Sequence, residues 1–259
     1  MFIDRPALKR QARELINTTK PSPVLVALVF VLVSALVSYL YGKVSNIMLS
    51  PAEYQEFLRY YTAGDAQSAL EIVANHEPTA AGGLVGVLLR IVSLMLSAGF
   101  TIFSLNVIRR SAPCFGNLLD GFGMFLRIIV LSVLEGLFVF LWSLLLVVPG
   151  IIASYRYRLA LYLLLDHPEM SPMQCIRESK RLMNGYKGAL FVMDLSFIGW
   201  SILAALPIVG YFVMLWVTPY QSLSYALFYT TLTGTNCLGA SAYDNGEQND
   251  HNDNQPWQN

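Results

Sequence analysis

Four charged side chains, Glu135, Arg156, Arg158 and Asp194, interrupt stretches of sequence that are otherwise apolar. A charge held at the centre of a lipid bilayer costs about 3 kcal/mol even on the mildest scales, so such residues pair with one another, carry ions or protons, or line a polar path. Folding a helical hairpin at Pro149-Gly150 brings Arg158 roughly opposite Phe140, about 7.5 Å along the helix from Glu135. An arginine side chain spans that gap, and the spacing predicts a buried Glu135–Arg158 pair. Such a pair serves either as a salt bridge that lets a polar hairpin insert or as part of a transport path. Asp194 falls about one and a half turns into its own apolar segment, within reach of interfacial water or of Arg127. Pro219 sits inside a further apolar stretch, where a proline kinks the helix and frees a carbonyl. That geometry suits a packing kink, a hinge or a binding site.

A second group of charges lies at the ends of apolar segments. Lys9, Arg10 and Arg13 come early in the chain, and Arg177, Lys180, Arg181 and Lys187 follow one another at helical spacings. Each cation near an anionic leaflet contributes about 1 kcal/mol of attraction. These seven residues form a candidate surface for anionic lipid headgroups or for a membrane or cytoplasmic protein partner. Nucleic acid is not expected, because the basic residues hug apolar segments instead of gathering on a solvated domain. Enzyme chemistry finds little support. His76, His167 and His251 are scattered, and Cys114, Cys175 and Cys237 have no metal-type spacing. There is neither a metalloprotease His-Glu-x-x-His nor a phosphate-cradling glycine loop followed by lysine. The expectation is therefore no catalytic residue, no cofactor and no metal, with the cysteines as free thiols.

The elements that must position these residues are helices in a membrane. Hydrophobic residues make up 55% of the 259 and charged residues 13%, about half the charged share of a soluble domain. The apolar residues come in blocks near the length of about 20 that crosses a hydrocarbon core. Six such spans are predicted: 24–41, 84–106, 122–148, 151–165, 189–206 and 211–232. The fold class is accordingly an all-α, polytopic transmembrane bundle. Residues 1–23 form an amphipathic leader, capped by Asp4, with Leu8, Ala12, Leu15 and Ile16 on one face and expected to lie along an anionic leaflet. The first apolar run is too long for a cleaved signal sequence.

The loop 42–83, external to the membrane in this reading, holds a small helical pair. Its expected signals are a Ser50-to-Glu53 capping box, a break at Gly64 and a cap at Asp65. Tyr54, Phe57, Tyr60 and Tyr61 are spaced to pack it on the membrane surface. Residues 171–184 form a cytoplasmic amphipathic helix, opened by Ser171-Pro172-x-Gln174 and closed by Gly185. Tight turns are expected at Pro149-Gly150 and Pro207 to Gly210. Gly82-x-x-x-Gly86 and Ser97-Ala98-Gly99 offer surfaces for close helix packing. The polar tail 233–259 buries too little to fold alone. Five of the 17 basic residues precede Val24 and five of the 17 acidic residues fall in 42–83. Lysine and arginine near the spans put both termini and the loops around Arg109 and Lys180 in the cytoplasm.

Val148-Pro149-Gly150-Ile151-Ile152, Tyr155-x-Tyr157, Asp166-x-Pro168, Ile176-x-x-Ser179-x-x-Leu182-Met183-x-Gly185-x-Lys187, Asp194 to Trp200 and Trp216-Val217-x-Pro219-Tyr220 follow in order. With the leader's Leu8-Lys9-x-x-Ala12, this series resembles the bacterial integral membrane family called domain of unknown function 975. The resemblance implies the six-span fold and a bacterial cytoplasmic membrane, and it brings no activity. The hairpin and the helix after it are also similar to the membrane part attached to some glycerophosphodiester phosphodiesterases, without their catalytic domain. The functional expectation is a non-enzymatic accessory or scaffold protein. The alternative is a transporter or exporter component with a polar site at the midplane.

Overall fold

A computed structural model describes residues 4–44, 51–74, 80–204 and 209–235, and among these every regular element is helical. The helices are α1 (Arg5–Thr18), α2 (Pro23–Val44), α3 (Pro51–Thr62), α4 (Ala66–Ala74), α5 (Ala80–Arg109), α6 (Asn117–Asp120), α7 (Phe125–Leu145), α8 (Val147–Tyr157), α9 (Ala160–Asp166), α10 (Pro172–Leu182), α11 (Lys187–Ala204) and α12 (Val209–Leu232). A short 3-10 turn joins α6 to α7. Ser50 of the expected capping box, Pro207, and most of the polar tail lie outside the described residues.

Local signals set many of the helix ends. Asp4 accepts a hydrogen bond from the Ala7 amide at 3.3 Å and opens α1, supplying one of the partners that a helix start lacks. Asp65 does the same for α4 through the Ser68 amide and hydroxyl, at 3.1 and 2.7 Å. Gly64, at φ +77°, makes the break between α3 and α4. Ser171 and Gln174 form a complete capping box at α10, and Gly185 at φ +85° turns the chain out of it.

Four stretches are long and apolar enough to cross a bilayer: Pro23–Lys43, Gly82–Arg109, Asn117–Leu145 and Lys187–Ala204. They correspond to the first, second, third and fifth expected spans. α12, at 24 residues, is long enough, but Pro219, Gln221 and its serines, threonines and tyrosines make it more polar. The fourth expected span differs more. The chain breaks at Arg158–Leu159 into α8 of 11 residues and α9 of 7 residues. The turn before it also moves. Leu146 is the extended link, and Pro149-Gly150 lies in the first turn of α8. Proline is tolerated there because the first amides of a helix have no partner to lose. Gly150 lets α8 close tightly on α7, since a β-carbon there would stand 2.0 Å from Ser143 Oγ.

α12 is the axis of the bundle. It packs against α1, α2, α5 and α11, and every residue from Leu223 to Thr230 is buried. The leader corrects the expectation that its apolar face meets lipid. Leu8, Ala12, Leu15 and Ile16 are buried, and α1 packs chiefly on α12, so protein covers that face. α3 and α4 pack on one another; within α3, Phe57 stacks on Tyr61, and Tyr54 and Tyr61 stay exposed.

α5 approaches α6 more closely than any side chain allows. A β-carbon on Gly99 would stand 2.1 Å from the Leu118 carbonyl oxygen, whereas one on Gly136 would meet nothing within 4 Å. Gly99→Ala therefore lowers stability by about 2 kcal/mol through overpacking, and Gly136→Ala leaves it unchanged or slightly raised. Unfolding of the two variants in detergent checks the contrast; equal stability would contradict the close approach.

Candidate functional site

Of the charged residues inside the apolar segments, Asp194 and Arg158 share one cluster, though not the one the sequence spacing predicted. Tyr155 on α8 donates to Asp194 Oδ2 at 2.9 Å, and Tyr225 on α12 donates to Oδ1. Gln221, one turn before Tyr225, donates to the Tyr225 hydroxyl at 2.9 Å. Arg158 lies with its guanidinium 5.0 Å from the centre of the Tyr225 ring, a cation–π distance. The break between α8 and α9 aims Arg158 this way. No ion pair or hydrogen bond joins Glu135 directly to Arg158, although the Arg158 charge still acts on the Glu135 carboxyl, and Glu135 Oε1 is buried with no hydrogen-bond partner. Asp194 does not pair with Arg127, whose guanidinium donates to the Pro168 carbonyl instead. Pro219 is buried inside a continuous α12, and its neighbour Tyr220 packs edge-on against Phe197.

Ser179 on α10 holds the break open. Its hydroxyl donates to the Arg156 carbonyl at 2.8 Å and accepts from the Leu159 amide at 3.2 Å. Both backbone groups belong to the interrupted helix, where an amide or carbonyl left bare would cost about 1–3 kcal/mol. Ser179 is fully buried, and the same contact fixes α10 beside the end of α8.

A second polar junction was not foreseen. Asp166, at the end of α9, receives Arg109 of α5 through two parallel bonds of 2.5 and 2.7 Å. It also accepts from the Tyr229 hydroxyl of α12 at 2.7 Å, and Tyr229 stacks on Tyr162. Burial alone would raise the Asp166 pKa, but the bonds from Arg109 and Tyr229 and the Arg109 charge outweigh it and hold the carboxyl below its ordinary value. Asp166-His167-Pro168 reads as a turn in the sequence, and the 57 residues separating Arg109 from Asp166 hide the pair. The one local hint is an arginine ending an apolar run and an aspartate ending another.

The basic residues divide. Lys9 stands 4.5 Å from the centre of the Phe197 ring and also bonds the Ser196 hydroxyl; Arg13 stands 5.3 Å from the centre of the Tyr220 ring. Lys9 thus reaches α11 and Arg13 reaches α12, with Arg13 still exposed. Burial, with the neighbouring Arg13 charge, lowers the Lys9 pKa. Arg10 is exposed. On α10, Arg177, Lys180 and Arg181 are exposed while Cys175, Ile176 and Ser179 are buried. Arg181 pairs with Glu178 through bonds of 2.5 to 3.0 Å. Lys187 opens α11 nearby.

A family model described as protein of unknown function, DUF975, matches residues 1–153 and 144–236. No curated protein and no solved structure matches the chain.

The Asp166 junction has a testable acid dependence. The folded state depresses this pKa, so its stabilisation is complete above the ordinary carboxylate value and drains away as pH falls through the depressed one. Asp166→Asn loses the charge on the Arg109 bonds and costs about 2 kcal/mol at neutral pH. The wild type loses a comparable amount on acidification, while the variant loses less. Unfolding in detergent across pH reads both; wild type and variant with the same neutral-pH stability would contradict the assignment.

Proposed function

The chain belongs to the DUF975 family of proteins of unknown function, and on that footing we propose that it is a non-enzymatic accessory or scaffold protein of the bacterial cytoplasmic membrane. In this reading six segments cross the bilayer: the four long apolar helices, residues 151–165 of the interrupted α8–α9 pair, and α12. Both termini face the cytoplasm, as do α10 and the Arg109 end, while the α3–α4 pair faces outward. The basic side of α10 then meets anionic headgroups or a protein partner.

One contrast carries the reading. The polar groups inside the bundle are spent on one another: Asp194 on Tyr155 and Tyr225, Asp166 on Arg109 and Tyr229. The exposed cations of α10 point away from the core. A helix whose buried side is locked and whose charged side is open is built to be bound. Glu135 favours the second reading, a transporter or exporter component. Its enclosed and unpartnered oxygen is the kind of group that a translocated ion or proton would engage.

Two measurements separate the readings. For the scaffold, a partner protein that co-purifies in detergent is lost when Arg177, Lys180 and Arg181 are all changed to Glu; retention by that variant argues against it. For the transporter, flux in proteoliposomes disappears in the Glu135→Leu/Arg158→Leu double variant. The scaffold reading predicts that this double variant folds and keeps its cellular phenotype.

A further inference from the structure

Between the end of α8, the basic side of α10 and the start of α11 lies a cleft of about 430 Å³, lined by Arg156, Arg177, Lys180, Arg181, Asn184 and Lys187. Five of these six are cations and none is an acid. We propose that this cleft is a binding site for a phosphate group, presented by a phospholipid head or carried by a soluble phosphate. The proposal rests on the reading of α10 as a surface that meets anions and narrows it to one pocket and one chemistry.

The cations are gathered by construction. Arg177, Lys180, Arg181 and Asn184 follow at steps of three, one and three, which puts them along one side of a helix and the turn that ends it. Gly185, with its left-handed backbone, brings the chain back so that Lys187 joins them at the first position of α11. Arg156 arrives from a different helix. Its carbonyl is tied to α10 by the buried Ser179 hydroxyl, so its side chain is delivered to the same cleft.

Like charges this close repel unless a counter-charge stands among them. Glu178 meets that need for Arg181 alone. Among the described residues, no carboxylate pairs with Arg156, Arg177, Lys180 or Lys187, and Arg156 Nε is buried without a hydrogen-bond partner. A phosphate supplies both missing items. Its charge offsets the cluster, and its oxygens accept from arginine forks and lysine ammonium groups together.

The test uses the full-length protein in nonionic detergent. Native mass spectrometry reads retention of phosphatidylglycerol against phosphatidylcholine, and thermal shift reads inorganic phosphate against chloride. The expected result is preferential binding of phosphatidylglycerol, of phosphate, or of both, weakened about tenfold by Arg156→Gln and separately by Lys187→Gln, with Arg59→Gln on α3 unchanged. Lipid binding alone assigns the site to a headgroup, and phosphate binding alone to a soluble ligand. Lys187, at the rim, keeps the test valid if Arg156→Gln fails to fold. No preference in either arm overturns the proposal. So does binding that survives both pocket variants. If that surviving binding is lost when Arg177, Lys180 and Arg181 become Glu, the basic surface stands and only the pocket falls; if it persists there too, both fall.

Discussion

In a bundle this apolar, polar contacts decide which helix faces which. Leucine and valine pack about equally well against lipid and against each other, so apolar burial gives little preference among arrangements inside a membrane. A carboxylate or an open backbone group is different, because its alternatives to a partner are expensive. Three junctions carry that selectivity here. Asp166 ties α9 to α5 and α12, Asp194 ties α11 to α8 and α12, and Ser179 ties α10 to the gap between α8 and α9. α12 takes part in two of the three, which accounts for its central place and for its tyrosines. They are long enough to bridge helices and apolar enough to be buried.

The parts of this fold that could be read from the sequence are those fixed by near neighbours. Asp4, Asp65, the Ser171–Gln174 box, Gly64 and Gly185 act on amides or backbone angles within four residues of themselves. The long apolar runs of α2, α5, α7 and α11 were legible because lipid imposes a length. What escaped depends on distant residues. The break between α8 and α9 is completed by Ser179, 20 residues past Leu159, so the apolar run looked like one helix. That break also explains why counting along a straight hairpin paired Arg158 with Glu135, whereas the real chain turns Arg158 toward Tyr225. The amphipathic leader had the right face and the wrong partner. An apolar stripe on a helix fits lipid and protein alike, and only the arrangement of α12 decides between them.

The candidate site follows the same division. That α10 is basic on one side was evident from spacing, but its use was not. Arg156 reads in the sequence as an intramembrane charge; the interruption of the helix and the Ser179 hydroxyl deliver it to the α10 cluster instead. The polar residues of the core are thereby sorted into two kinds. Those around Asp166 and Asp194 satisfy each other and hold helices in place. Those around Arg156 leave positive charge unanswered at an accessible end of the bundle.

The proposed topology sets one surface, the basic side of α10, across the bilayer from the α3–α4 pair. The most direct measurement is labelling by a membrane-impermeant maleimide in intact cells, with single cysteines introduced as Glu71→Cys and Lys180→Cys in a background lacking Cys114, Cys175 and Cys237. The account predicts that position 71 is labelled from the medium and position 180 only after the membrane is permeabilised. Labelling of both positions from the same side would contradict it.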